Sequence, residues 1–212
     1  ESIQDYKRVM KTICGSLRNG DKVRLGDLFT MKKGTVQSSK AVEGSIPFYT
    51  GAANLKLHNT ATETTESILF VGGAEGSLGR VHHAVDAAYA VSDLCYVMRL
   101  LSDSVLYKYA YWYLNMNKES IIGYAAKGIK RTITLERLKD IEILVPDVEV
   151  QQQMIERLDI LQDQIVGLER TKVMLTGSMR SCLDCCLTSV PAADGSTGLS
   201  TENDIEDSAV DE

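Results

Sequence analysis

Residues 72–79, Gly-Gly-Ala-Glu-Gly-Ser-Leu-Gly, follow an apolar run of β type. A glycine-rich loop after a strand cradles phosphate when a helix follows it and a Gly-Lys-Ser/Thr ending supplies the cation. Neither is present, because Arg80–Val85 reads as another strand. What remains is a tight turn whose missing side chains bring backbone close to a ligand or to DNA. His82 and His83 are adjacent, so on a strand they point to opposite faces and do not readily share a metal. Cys182, Cys185 and Cys186 have the spacing of metal ligands, but a structural zinc site needs four. Ser and His occur singly with nothing to orient them as a catalytic pair. No Asn/Asp-Pro-Pro-Tyr/Phe signature of an amino-methyltransferase occurs either. The expectation is a chain with no catalytic residue, no metal and no cofactor of its own.

Basic residues gather in two stretches that read as loops. Lys32, Lys33 and Lys40 accompany Gly34, Thr35, Gln37, Ser38 and Ser39, and Lys127, Lys130 and Arg131 accompany Gly128 and Thr132. Cations mixed with small polar residues suit phosphate contacts and base-edge reading, although solvated loops have the same composition. With Gly76, Ser77 and Arg80 at the glycine-rich turn, all of these but Ser39 are the candidate DNA-binding residues.

The net charge of −6 over 212 residues argues against a nucleic-acid partner until its distribution is considered. From Ser181 onward there is no Lys or Arg and there are eight acids, which leaves 180 residues carrying 23 basic and 21 acidic groups, a net of +2. The expectation is a slightly basic body followed by a disordered acidic tail, residues 181–212, that solvates the chain or competes for its basic surface. At 44% hydrophobic and 25% charged, the rest has the composition of a folded protein. No apolar run reaches the roughly 18 residues of a membrane helix, and no charged-then-apolar leader follows Glu1. Five cysteines make no disulfide framework. A cytoplasmic location is expected, with the nucleus or another DNA-containing compartment open.

The elements that position these residues fall into three segments. Apolar residues at Ile3, Tyr6, Met10, Ile13 and Leu17 predict a helix within residues 1–20, stopped by Asn19-Gly20-Asp21. Residues 21–146 mix short strands, at Ile46–Thr50, Ser67–Val71, Arg80–Val85, Tyr89–Ser92, Leu94–Leu100 and Ile141–Val145, with two helices. One helix runs from Asp103, its expected N-cap, to Asn117 with Leu106, Ala110, Tyr113 and Leu114 inward; the other is Leu135–Lys139. Residues 147–180 carry a strict heptad of Met154, Leu158, Leu161, Ile165, Leu168, Lys172, Leu175 and Met179. So narrow a stripe has to be buried against another helix, in a projecting coiled coil or on the chain's own body. The fold class expected is mixed α/β, a globular domain of short strands with a long C-terminal coiled-coil helix.

The order of short motifs is specific. Val23-Arg24-Leu25-Gly26-Asp27 opens the middle segment and Lys33-Gly34 follows. Gly44-Ser45-Ile46-Pro47 with Tyr49, then Gly76-Ser77-Leu78-Gly79, then Gly128 and Arg131 ahead of Ile133, come next. Val145-Pro146-Asp147-Val148-Glu149-Val150-Gln151-Gln152-Gln153-Met154 closes the series. Across about residues 22–180 this resembles a target recognition domain, with its following helix, of the specificity subunit of type I restriction–modification systems. The resemblance implies a non-catalytic module that reads one half of a split double-stranded DNA site. It implies partners: a methyltransferase subunit that modifies adenine with S-adenosylmethionine, and a restriction subunit that can join. The Lys33-Gly34, Gly76–Gly79 and Gly128–Arg131 segments would face DNA. Met154, Leu158, Leu161, Ile165, Leu168 and Leu175 would form the dimer or partner helix, in a homodimer or an intramolecular helix pair. Alternatives are a coiled-coil scaffold derived from such a domain and the specificity part of a fused methyltransferase. No membrane partner is expected.

Overall fold

Ser2 fixes where the chain first becomes helical. Its hydroxyl accepts the Asp5 N–H, and the Asp5 carboxylate accepts the Ser2 N–H at 3.0 Å, so two orphan donors are satisfied reciprocally. The helix α1 runs Ile3–Gly15 and buries Met10 and Cys14. The computed structural model describes residues 2–17, 19–39, 44–73, 76–125 and 131–188. Two compact units divide the chain, Glu1–Glu169 and Arg170–Glu212.

After α1 come β1 (Asp21–Arg24), the one-turn α2 (Leu25–Leu28), β2 (Phe29–Lys33), β3 (Ile46–Tyr49), β4 (Lys56–His58), β5 (Ser67–Val71), β6 (Val81–Ala84), β7 (Ala90–Val91) and β8 (Cys95–Leu100). Then follow α3 (Tyr107–Met116), α4 (Lys118–Ile122), α5 (Leu135–Lys139), β9 (Glu142–Val145) and α6 (Val148–Thr188). Three sheets result: β1-β9, the antiparallel four-stranded β2-β8-β5-β6, and β4-β3-β7, in which β3 and β7 are parallel. The fold is mixed α/β, as its sequence pattern implies.

The four-stranded sheet is the centre of the first unit, and its period-two alternation sorts two cores. Phe29, Ile68, Phe70, Val81 and Met98 enter a core shared with Met10, Tyr109, Leu114, Leu138 and Leu158 from the helices. Leu69, Val71, Ala84, Cys95 and Val97 enter a smaller core with Tyr89 and Val91 on the side of the three-stranded sheet. His82 and His83 point to opposite faces, one ring against Tyr49, the other stacked on Tyr107. Burial pushes the Cys14 and Cys95 thiols up to about 12, so both stay protonated at neutral pH.

Several sequence expectations are corrected here. Lys32 and Lys33 lie on β2, because Phe29 and Met31 pack inward and the whole segment pairs with β8 from Phe29↔Leu100 to Lys33↔Tyr96. α3 starts at Tyr107, not after Asp103, and has no side-chain cap of its own. Its approach is fixed from α6 instead: the Gln151 amide oxygen accepts the Leu106 N–H at 2.9 Å, while its Nε2 donates to Ser104 O and Pro146 O, both at 2.8 Å. α3 buries Tyr109, Ala110, Trp112 and Leu114, with Leu106 and Tyr113 only half-buried.

The long helix also differs from expectation. Its backbone continues through residues 181–188, assigned above to a disordered tail; no Gly or Pro interrupts that stretch. Residues 189–212 lie outside the described residues. Met154, Leu158 and Ile165 are buried in the chain's own helix-side core, and Leu161 packs half-buried against it. These four are therefore covered within one chain and not offered to another helix. Leu168 is more exposed. In the second unit Val173, Met174, Leu175 and Met179 all stand exposed on α6.

Candidate nucleic-acid interface

The antiparallel order β2-β8-β5-β6 gathers at one end of the sheet the last residue of β2, the first of β8, the last of β5 and the first of β6. Main-chain hydrogen bonds tie the connecting loops together at that end. Gly34 N–H donates to Cys95 O at 2.9 Å, Val36 N–H to Val91 O at 3.1 Å, and Gly72 N–H to Leu94 O at 3.0 Å. Ile133 N–H donates to Gly72 O at 2.8 Å, which sets Arg131 and Thr132 beside the glycine-rich turn. Stretches distant in sequence, 33–38, 72–73 with 76–80, and 131–133, so form one surface.

Close approach explains two glycines of this end. A side chain on Gly34 would sit 2.2 Å from the Ser92 carbonyl oxygen, and one on Gly72 would sit 2.2 Å from the Tyr96 ring. Gly76 and Gly79 adopt φ of 76° and 73°, a left-handed backbone that other residues rarely adopt.

The candidate side chains differ in what they can do. Lys33, Thr35 and Gln37 are exposed, Ser38 half-buried. Arg131 is exposed, with one guanidinium nitrogen 3.3 Å from Ile122 O, and Thr132 lies half-buried near Gly73. Lys32 is not a free loop cation: its Nζ lies 2.6 Å from a Glu63 carboxylate that is only 6% exposed and also holds Arg99. Both cations help to offset the cost of desolvating that carboxylate. Ser77 is buried, because the neighbouring Leu78 anchors the turn in the helix-side core, and Gly76 is the exposed part. Arg80 is half-buried and donates to the Gly51 carbonyl. Lys40, Lys127, Gly128 and Lys130 lie outside the described residues.

Sequence reading missed the β3–β4 turn. Ser92 N–H donates to Tyr49 O at 2.9 Å, and Ser92 is bridged to Val36, so residues 50–56 emerge at the same end of the sheet. The strand run ending at Thr50 and the Gly51 that follows were the available signal. Glu63 and Arg99 were missed too, since their pairing is made only by the fold.

This end of the sheet therefore presents main chain, small polar groups and the cations Lys33, Lys56 and Arg131 to solvent. Among the described residues no group of three or more His, Cys, Asp or Glu could hold a metal ion, and no helix is long and apolar enough to cross a membrane. The chemistry available is recognition of an anionic, hydrogen-bonding surface.

A protein-family model described as the type I restriction modification DNA specificity domain matches residues 19–173. No curated protein matches significantly. Among solved structures, the S subunit of the type I restriction–modification system from M. genitalium is similar with a TM-score of 0.64 and 13% identity, over 84% of this chain and 51% of that one. A structure concerned with complex assembly and conformational transition of the type I R-M system gives 0.63 and 18% identity, over 85% and 50%. The HsdS subunit from Thermoanaerobacter tengcongensis gives 0.58 and 20% identity, over 80% and 46%. At such identities the likeness is one of fold, and this chain spans about half the length of each of these three structures. The family model covers most of the chain, including every segment of the sheet end built above: the chain belongs to the type I restriction modification DNA specificity domain family.

Proposed function

We propose that this chain is a sequence-reading module that recognises one half of a split DNA site and does no chemistry itself. The observation that carries the reading is the convergence of Lys33, Gly34, Arg80, Arg131 and Thr132 on one sheet end. Phosphate-facing cations set register, while Thr35, Gln37 and main-chain groups meet base edges. Methylation of adenine belongs to a partner subunit that carries S-adenosylmethionine, and a restriction subunit joins the same assembly. The exposed apolar residues of α6, Leu175 among them, support its use as the partner or dimer helix. A compartment that holds DNA, the bacterial cytoplasm above all, follows from this role.

Enrichment of randomised duplex DNA by the full chain tests the reading. A single short sequence should emerge, with affinity that falls as salt rises. A pool that stays random after repeated rounds would overturn it.

A further inference from the structure

The turn between β3 and β4 is held from below and left bare above. Thr50 is 4% exposed, and its hydroxyl accepts the Ala52 N–H at 3.0 Å. Arg80, just ahead of β6, donates from its guanidinium to the Gly51 carbonyl, and on β6 the half-buried His82 ring packs against Tyr49 at the foot of the turn. Beyond these anchors Asn54, Leu55 and Lys56 are exposed, Leu55 to 52%. Among the described residues no hydrogen bond engages the Asn54 carboxamide. An anchored turn that displays a free carboxamide, an apolar group and a cation has the three components of base reading. These are a bidentate donor–acceptor pair, a contact for a thymine methyl and a phosphate partner.

We propose that the Gly51–Lys56 turn is a specificity-determining element, with Asn54 reading one base pair of the half-site and Arg80 acting as its positioning residue. The proposal rests on the DNA-reading function above and extends it. A turn fixed before binding loses little freedom when it meets DNA, so its contacts convert more fully into discrimination. Asn pairs bidentately with adenine in the major groove, and an A·T pair is the expected target. Because the Arg80 guanidinium is engaged with Gly51, its main effect is on which base is read and not on phosphate attraction.

The test is enrichment of a randomised duplex DNA library by the full chain and by Asn54→Ala, Arg80→Gln, Arg80→Lys and Lys33→Gln, with the salt dependence of affinity measured for each. Asn54→Ala should lose about ten- to hundredfold of the preference at one base pair, the size of one bidentate contact, while other positions and the salt slope match the parent. Arg80→Gln should blur that same position, and Arg80→Lys should restore it. Lys33→Gln should lower the salt slope by about 0.9 and leave the bases unchanged. A parent that enriches one sequence while Asn54→Ala enriches it with every preference intact overturns this inference alone. An Arg80→Gln variant that loses slope and keeps its bases makes Arg80 a phosphate contact and overturns its positioning role. A parent that enriches nothing overturns the DNA-reading function and this inference with it.

Discussion

Glu63 illustrates how a residue's surroundings assign its work. Its carboxylate is almost fully buried between Lys32 and Arg99, and the Arg99 Nε has no partner among the described residues. Glu63→Ala leaves that half-buried guanidinium uncompensated and should cost about 3 kcal/mol in urea unfolding. Lys32 is more than half exposed, and Lys32→Met should cost less than about 1 kcal/mol. Equal small losses would reduce the triad to an ordinary surface pair. His82 makes a second prediction. Burial holds its imidazole below the usual 6.5, against the opposing hydrogen bond to Thr50. The unfolded chain then binds the proton first as pH falls, so this contribution is whole above about pH 6.5 and is lost below it. His82→Gln should flatten part of the stability loss on going from pH 7 to about pH 5.5, as followed by Trp112 fluorescence. The opposite faces of His82 and His83 were readable from the period of a strand. The partner of Lys32 was not, because Glu63 reaches it only through the pairing of distant strands.

At the scale of elements, periodicity located structure well and said little about what covers it. The Ser67–Val71 strand and the Leu135–Lys139 helix have the bounds that their patterns predict. The heptad of α6 announces an apolar stripe equally along its length, yet Leu158 is fully buried in its own unit while Leu175 is 60% exposed in the second. Hydrophobic spacing cannot distinguish these, since both positions repeat alike. Leu158→Asp should therefore destabilise the folded chain by more than about 4 kcal/mol, through a cavity and an unpaired buried charge. Leu175→Asp should leave the unfolding midpoint nearly unchanged and abolish self-association or binding to a partner helix in sedimentation. A Leu175→Asp chain that sediments as the parent does removes this part of α6 from the interface. Gln151 is the other lesson. The three hydrogen bonds of this buried side chain join α6 to the start of α3 and to Pro146, and a polar residue in a Gln-Gln-Gln run gives no hint of that. Gln151→Leu strands those groups and should cost about 1–3 kcal/mol in thermal or urea unfolding.

For the whole molecule, charge placement matters more than net charge. Counted over all 212 residues the chain is acidic, yet its first 180 residues are slightly positive and the exposed cations Lys33, Lys56 and Arg131 sit at one sheet end. Deleting residues 189–212 removes seven acids and no base, so affinity for duplex DNA should rise at low salt and the difference should fade as salt screens it. An effect that is absent at every salt concentration would make the acidic segment a solvating appendage only. Motif order in the sequence marked the candidate segments, while their assembly into one surface required the β2-β8-β5-β6 topology. The central claim is that this sheet end binds DNA, and the dependence of duplex affinity on salt tests it most directly, for the parent and for Lys33→Glu with Arg131→Glu. Each phosphate contact contributes about 0.9 to the slope of log affinity against log salt, so the double variant should bind more weakly with a slope shallower by about two. A slope and affinity unchanged by both reversals would contradict the account.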